Sequence, residues 1–289
     1  MAGHHCLTVL CRTLKVSRAT YYRWCQHTPT ARELEVEDLK KRITRIFYED
    51  GEGTYGACRI HNQLKKELDS LEESRICSLK RVQKIMRQLN LVSCHRAKYK
   101  PTPTQQKVEE RPNLLEQDFS TTKLNQKWVT DITYIQTKRD GWCYLSTILD
   151  LHSRMVIGYS FGKKMDTCLV LNTLQDALLK RSYKKGELIL HSDLGSQYTS
   201  QSYEEALEDA RILHSFSKKG CPYDNAGMES FHASIKKERI YCRPIYKNFE
   251  EAQADVFDYI HRFYNRKRIH SAISYLTPIQ MEEALQQVA

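Results

Sequence analysis

Between residues 128 and 161 three short runs rich in β-branched and aromatic side chains follow one another, at 128–135, 144–149 and 155–161. Turn formers separate them: Asp140-Gly141 after the first, residues 150–154 after the second. Runs of this composition and spacing read as three strands joined by hairpins. The pattern then changes. Asp166 is placed to cap a helix whose inner face is Val170, Leu174, Ala177 and Leu178, and the apolar run 188–190 makes a fourth strand ending at His191-Ser192-Asp193. Ser202 with Glu205 reads as a capping box opening another helix, and residues 212–216 fit a fifth strand. The order βββαβαβα, in which the last two strands enter through helical crossovers, restricts this part of the chain to an α/β fold with a mixed sheet covered by helices.

Upstream the periodicity is helical. Val36, Leu39, Ile43, Ile46 and Phe47 recur at helical spacing over 31–48, until Asp50-Gly51-Glu52-Gly53 stops the helix. Ile60, Leu64 and Leu68 mark a second helix, and Ser78 is placed to cap a third. In the third, Val82, Ile85, Met86 and Leu89 form one stripe while Lys80, Lys84 and Arg87 lie opposite. Residues 75–108 hold nine Lys and Arg and no acid, and residues 1–125 carry +8 of the formal +10 charge. Unbalanced cation of this kind attracts a polyanion, because phosphate contacts release condensed counterions. Two helices, a connection and a cationic outward face describe a helix-turn-helix, so Lys80, Lys84 and Arg87 are expected to contact DNA. A helical hairpin with an ordinary solvated face is the alternative.

The expected organisation is a helical region at 1–50, a helix-turn-helix-like region at 51–98, an aperiodic linker at 99–124, and a catalytic core with C-terminal helices at 125–289. No run approaches the roughly 18 to 20 apolar residues that a bilayer demands, and the first residues are too polar for a secretory signal, so a cytoplasmic location without membrane contact is expected. The ten cysteines are scattered without paired spacing, which argues against a disulfide scaffold and for reduced thiols. His4, His5, Cys6 and Cys11 lack the two ligand pairs of a structural zinc site.

Three carboxylates stand in positions that can carry chemistry. Asp131 interrupts an apolar strand, where a carboxylate is expensive without compensation. Asp193 follows a strand immediately, the place where α/β sheets put ligand sites, and Gly195 permits a sharp turn after it. Glu229, with 35 residues between it and Asp193, opens a helix whose inner face is Met228, Phe231 and Ile235 and which Asn225 is placed to cap. Converging, the three are hard oxygen ligands for two Mg²⁺ ions and for phosphodiester chemistry; taken singly, they are an ion-paired Asp, a turn Asp and a helix-start Glu. Lys236, two helical turns after Glu229, shares its face and could hold a phosphate. Asn248 with Glu251 opens a further helix, and Thr277-Pro278 a last one.

Trp128-Val129-Thr130-Asp131-Ile132-Thr133-Tyr134, the run from His191 to Tyr198, the run from Asn225 to Phe231 and the run from Tyr264 to His270 resemble the catalytic core of bacterial insertion-sequence transposases, whose second-frame product is similar to retroviral integrase. Residues 16–24, Tyr55-Gly56 with Arg59-Ile60, and Arg81-Val82 with Met86-Arg87 resemble that family's N-terminal region; Gly56-Ala57-Cys58-Arg59 departs from its usual pattern. The resemblance implies a ribonuclease-H-like catalytic domain preceded by an all-α helix-turn-helix region. It implies a metal-binding catalytic triad of Asp131, Asp193 and Glu229 holding two Mg²⁺ or Mn²⁺ ions, with Lys236 on DNA. It also implies cleavage at element ends, transfer of the 3′-hydroxyl to target DNA, a homo-oligomer on DNA, and a first-frame helix-turn-helix partner or fusion. A metal-dependent nuclease and an inactive DNA-binding regulator of a complete transposase are the alternatives.

Overall fold

The computed structural model describes residues 6–26, 28–70, 77–94, 111–218 and 222–287. His4, His5, Arg75, Arg96, Lys98, Lys100, Lys107 and the first part of the expected linker lie outside them.

β1 (Lys127–Thr137) and β2 (Gly141–Asp150) pair antiparallel from Trp128↔Asp150 to Thr137↔Gly141, and β2 pairs antiparallel with β3 (Val156–Gly162). α6 (Thr167–Lys180) begins where Asp166 Oδ1 accepts the Leu169 N–H at 3.0 Å. It leads to β4 (Ile189–Ser192), which runs parallel to β1, and α7 (Gln201–Ala210) leads to β5 (Leu213–Phe216), parallel to β4. The sheet order is β3-β2-β1-β4-β5, with all five expected strands present. Alternation along the strands divides the core. Trp128, Ile148 and Ile157 join Val170, Leu174, Tyr203 and Leu207 of α6 and α7 on one face. Val129, Ile135, Leu145 and Leu149 face the C-terminal helices on the other. One expectation fails: α7 starts after Ser200, which places Ser202 inside the helix, and Glu205 takes a hydrogen bond from Gln201 Nε2 instead of closing a capping box.

The C-terminal helices are α8 (Ala226–Ile235), extended by a wide π turn over Lys236–Ile240, α9 (Phe249–Asp258), extended likewise over Tyr259–Tyr264, and α10 (Pro278–Gln286). Asn248 caps α9 through the Glu251 N–H, and Thr277 with Gln280 makes a reciprocal capping box at α10.

In the N-terminal half lie α1 (Leu7–Thr13), α2 (Arg18–Cys25), α3 (Ala31–Arg45), α4 (Ala57–Ser70) and α5 (Leu79–Gln88). Ser78 Oγ accepts the Arg81 N–H at 3.3 Å and starts α5 as the sequence suggests. Val82, Ile85 and Met86 are buried against Leu39, Ile43, Ile60 and Leu64, and this cluster is continuous with the one beneath α8 and α9. The helical region is therefore docked on the core. The Tyr55 hydroxyl donates to Lys267 O at 2.8 Å and accepts the Ile269 N–H at 3.2 Å. Arg59 reaches Glu238, whose two carboxylate oxygens also accept from Nε and Nη2 of the buried Arg268 guanidinium at 2.8 and 2.9 Å.

That docking corrects the expectation of reduced thiols at one place. Cys94, just after α5, and Cys242, just after the π turn of α8, form a disulfide across 148 residues with their Cα atoms 6.3 Å apart. Their proximity is a product of the docking, which residue spacing cannot show. Among the described residues no helix is long and apolar enough to cross a membrane.

Candidate active site

The parallel ladder of β1 and β4 ends at Val129↔His191. Two residues further along come Asp131, still on β1, and Asp193, the first residue past β4, so the register brings the two carboxylates side by side at the mouth of the sheet. His191 anchors this edge: its ring nitrogens lie 2.9 Å from Ser215 Oγ and 2.9 Å from Ser217 Oγ, tying β4 to the end of β5. Burial pushes its pKa down to about 4, which keeps the ring neutral. After β4, Asp193 Oδ1 accepts the Gly195 N–H at 3.0 Å. A Cβ on Gly195 would stand 2.9 Å from that oxygen, so a larger residue there would push the carboxylate aside.

Asp131 is fixed from its own strand and from α8. Its Oδ1 accepts the Ile132 N–H at 2.8 Å, and its Oδ2 lies 3.4 Å from His232 Nδ1. Loss of water raises its carboxyl pKa, and the charge of Asp193 raises it further; burial raises Asp193 as well. Two carboxylates that disfavour each other's charge form a site that a cation would relieve.

α8 is delivered to this mouth by contacts before its first turn. Asn225 does not cap through its side chain; its Nδ2 instead donates to Thr130 O at 3.1 Å, pinning the helix start to β1. Asp224, buried just before it, takes hydrogen bonds from Asn113, Gln117 and the Lys218 N–H. Gly227 lets the helix approach, since a Cβ there would meet Leu151 Cδ2 at 2.9 Å. Met228, Phe231 and Ile235 are buried as expected, which leaves Glu229 exposed in the first turn. Its charge still reaches Asp131 and disfavours ionisation there.

Lys236 ends α8 half-buried, where the charge of Asp131 favours its ammonium while burial opposes it. Asp131, Asp193, Glu229 and Lys236 thus share one neighbourhood. Among the described residues no three His, Cys, Asp or Glu side chains are arranged to grip one ion together, so the assembled part of the set is the Asp131–Asp193 pair. Lys80, Lys84 and Arg87 stand exposed on α5, in the separate helical region, and Arg81 beside them is paired with Glu35 at 2.7 Å.

His232 was not singled out by sequence reasoning. It is buried, its Nε2 has no hydrogen-bond partner, and burial, helped by the charge of Lys236, holds its pKa down at about 3. Its signal lay in spacing, three residues after Glu229 and four before Lys236, which places all three on one helix face.

Residues 121–222 and 210–278 each match an integrase core domain family, and residues 33–99 match an HTH-like domain family. The chain is 37% identical over 256 residues to the transposase for insertion sequence element IS904 of Lactococcus lactis, covering 88% of this chain and 97% of that one. It is 35% identical over 280 residues to transposase InsF for insertion sequence IS3A of Escherichia coli, covering 96% and 93%. It is 34% identical over 281 residues to a 31 kDa protein of insertion element IS600 of Shigella sonnei, covering 97% and 100%. Among solved structures, the HTLV-2 integrase catalytic core domain in complex with magnesium matches 54% of this chain and 95% of that one at 21% identity and a TM-score of 0.40. The simian T-cell lymphotropic virus intasome matches 71% and 66% at 18% identity and a TM-score of 0.45. With its mixed five-stranded sheet, helical N-terminal region and 34–37% identity to these relatives over 88–97% of its length, the chain belongs to the insertion-element transposases that carry an integrase core domain.

Proposed function

We propose that this transposase cleaves the ends of its element and joins the freed 3′-hydroxyl to new DNA at a site formed by Asp131, Asp193 and Glu229. The observation that carries the reading is the placement of Asp131 and Asp193 side by side beyond the β1–β4 ladder, each with its carboxyl pKa raised. Hard oxygen donors on a strand, a strand end and a helix start suit Mg²⁺ or Mn²⁺, and the mutual repulsion of the two aspartates fits them to a divalent cation. Bound there as a pair, such ions supply Lewis acidity that activates the attacking oxygen and steadies the leaving one.

The chain's own residues do the rest. The Ile132 N–H orients Asp131, the Gly195 N–H orients Asp193, and Glu229, on the exposed side of α8, closes the set from the helix. Lys236 supplies a cation for a non-bridging phosphate oxygen beside them. In cleavage, a water oxygen bonds to phosphorus as the bond to the 3′-oxygen breaks and that oxygen takes a proton. In joining, the 3′-hydroxyl attacks a target phosphodiester, loses its proton, and displaces another 3′-oxygen. Lys80, Lys84 and Arg87 on α5 hold duplex DNA, with copies of the chain and a first-frame helix-turn-helix partner assembling on the element ends.

Mg²⁺-dependent strand joining on labelled element-end DNA, comparing the native chain with Glu229→Gln, tests the reading. Activity in the native chain alone, lost in the variant while folding and DNA binding persist, is the expected result. Activity only after addition of the upstream partner makes the chain a catalytic half. No joining even then, with DNA still bound, overturns the reading in favour of a regulator.

A further inference from the structure

The turn end of the β1–β2 hairpin carries an aromatic shelf for which phosphoryl transfer gives no use. Even-numbered residues of both strands point to the face that α6 and α7 cover over Trp128 and Ile148, yet Tyr134 is 48% and Trp142 54% exposed. Tyr144 stands directly across from Tyr134, their ring centroids 5.5 Å apart and nearly edge to face, and Trp142 lies 6.3 Å from Tyr134 at 84°. Large rings left in water forgo the stabilisation that burial would give, so an exposed cluster of them marks a surface that meets something.

Charge and position select the occupant. Lys138 stands exposed in the turn just past β1, and Lys164 is exposed just past Gly162, the residue paired with Tyr144. The acid of the turn, Asp140, is engaged by Lys163 Nζ at 2.9 Å and the Phe249 N–H at 2.8 Å. Tyr134 is three residues beyond Asp131 on the same strand, so its ring leaves the opposite face of the sheet, yet it stands near enough to the sheet's mouth for the charges of both Asp131 and Asp193 to act on its phenol. Flat rings flanked by cations, beside a site for phosphodiesters, match a single strand of nucleic acid, whose bases stack on rings while its phosphates meet lysines. We infer that Tyr134, Trp142 and Tyr144 form a stacking platform for unpaired nucleotides of the DNA strand entering the active site. The inference rests on the proposed function.

Trp142 is its own probe. Trp128 is fully buried and Trp24 is 76% exposed, so in a Trp24→Phe chain Trp142 is the accessible indole. Titration with oligo-dT in EDTA is expected to quench that emission saturably, and Tyr134→Ala is expected to weaken the binding by about tenfold or more. Element-end duplexes with an unpaired tail are expected to outcompete flush ones, and the tail preference is expected to disappear in Trp142→Ala. No quenching, quenching that follows protein concentration without DNA, or a tail preference that survives Trp142→Ala overturns the platform; the second of these outcomes makes the shelf a contact between copies. The quenching experiment uses only a surface change, so a shelf variant that misfolds does not decide it. Because binding is read without metal, a failure of strand joining leaves this readout intact, and strand joining without quenching removes the platform alone.

Discussion

His232 Nδ1 lies 3.4 Å from Asp131 Oδ2 across the junction of α8 and β1, which sets a buried neutral imidazole of the helix directly against the carboxylate of the strand. On the proposed function, a ring in that position would orient the carboxylate as side chains behind metal ligands do, and losing such a contact typically weakens metal binding by about 10- to 100-fold. His232→Phe keeps the volume and removes the donor, so Mn²⁺ affinity measured by calorimetry is expected to fall by about tenfold. His232→Gln, which can still donate, is expected to recover part of it. Native affinity in the Phe variant would make His232 a packing residue only.

Asp193→Asn removes one of two neighbouring negative charges. Asp131 then loses the stronger of two like charges that disfavour its ionisation, leaving its own burial and the weaker influence of Glu229 to hold the carboxyl up. In a chelator the variant is expected to melt higher than the native chain, by about 2 to 4 °C for a gain of roughly 1 kcal/mol. With Mg²⁺ the order should reverse, because the native pair gains stability by binding the ion and the variant does not. A variant that melts lower in the chelator would show that the repulsion is already relieved by Lys236.

Acid is expected to destabilise the fold through its buried histidines. His191 is held at about 4, His214 at about 3 and His232 at about 3, in each case chiefly by burial. Above pH about 6.5 these rings are neutral in both folded and unfolded chains and contribute no pH dependence. Below it the unfolded chain takes up protons that the folded chain refuses, so stability is lost as pH falls from about 6.5 toward 4, at roughly 1.4 kcal/mol per pH unit for each ring. Asp131 and Asp193, whose folded values are raised, work in the opposite sense, since the fold regains stability as they protonate. Denaturant unfolding at a series of pH values checks the balance, and His191→Asn should flatten the slope in that window. An unchanged slope in the variant would mean that His191 ionises in the fold.

Much of this was legible because the relevant signals are local. Strand runs, the Ser78 cap and the two stripes of α5 follow from periodicity within a dozen residues, and the structure has them in place. The Asp131–Asp193 pairing was legible only as an expectation, since it depends on the β1–β4 register across some sixty residues of intervening chain. Contacts of longer range were not legible at all. Nothing in the sequence announced that Asn225 would bond Thr130 rather than cap its own helix, that Tyr55 would join the backbone at Lys267 and Ile269, or that Cys94 would meet Cys242. The Ser202 cap misled because Ser200, two residues earlier, suits the same position equally well, and packing of Tyr203 and Leu207 decides where α7 starts.

The cationic stripe of α5 makes the remaining prediction quantitative. Lys80, Lys84 and Arg87 are exposed, whereas Arg81, on the same helix, is taken up by Glu35. Free cations meeting phosphates release counterions, and the logarithm of affinity falls with the logarithm of salt by about 0.9 per phosphate contact on duplex DNA. Lys80→Ala combined with Lys84→Ala is therefore expected to weaken duplex binding and to reduce the magnitude of that slope by about 2, measured by fluorescence anisotropy between low and physiological salt. Both residues face solvent while Val82, Ile85 and Met86 carry the packing, so the helix should survive the change and the melting temperature should not move. An unchanged slope with intact folding would mean that α5 presents a solvated face, and that DNA is held elsewhere on the molecule.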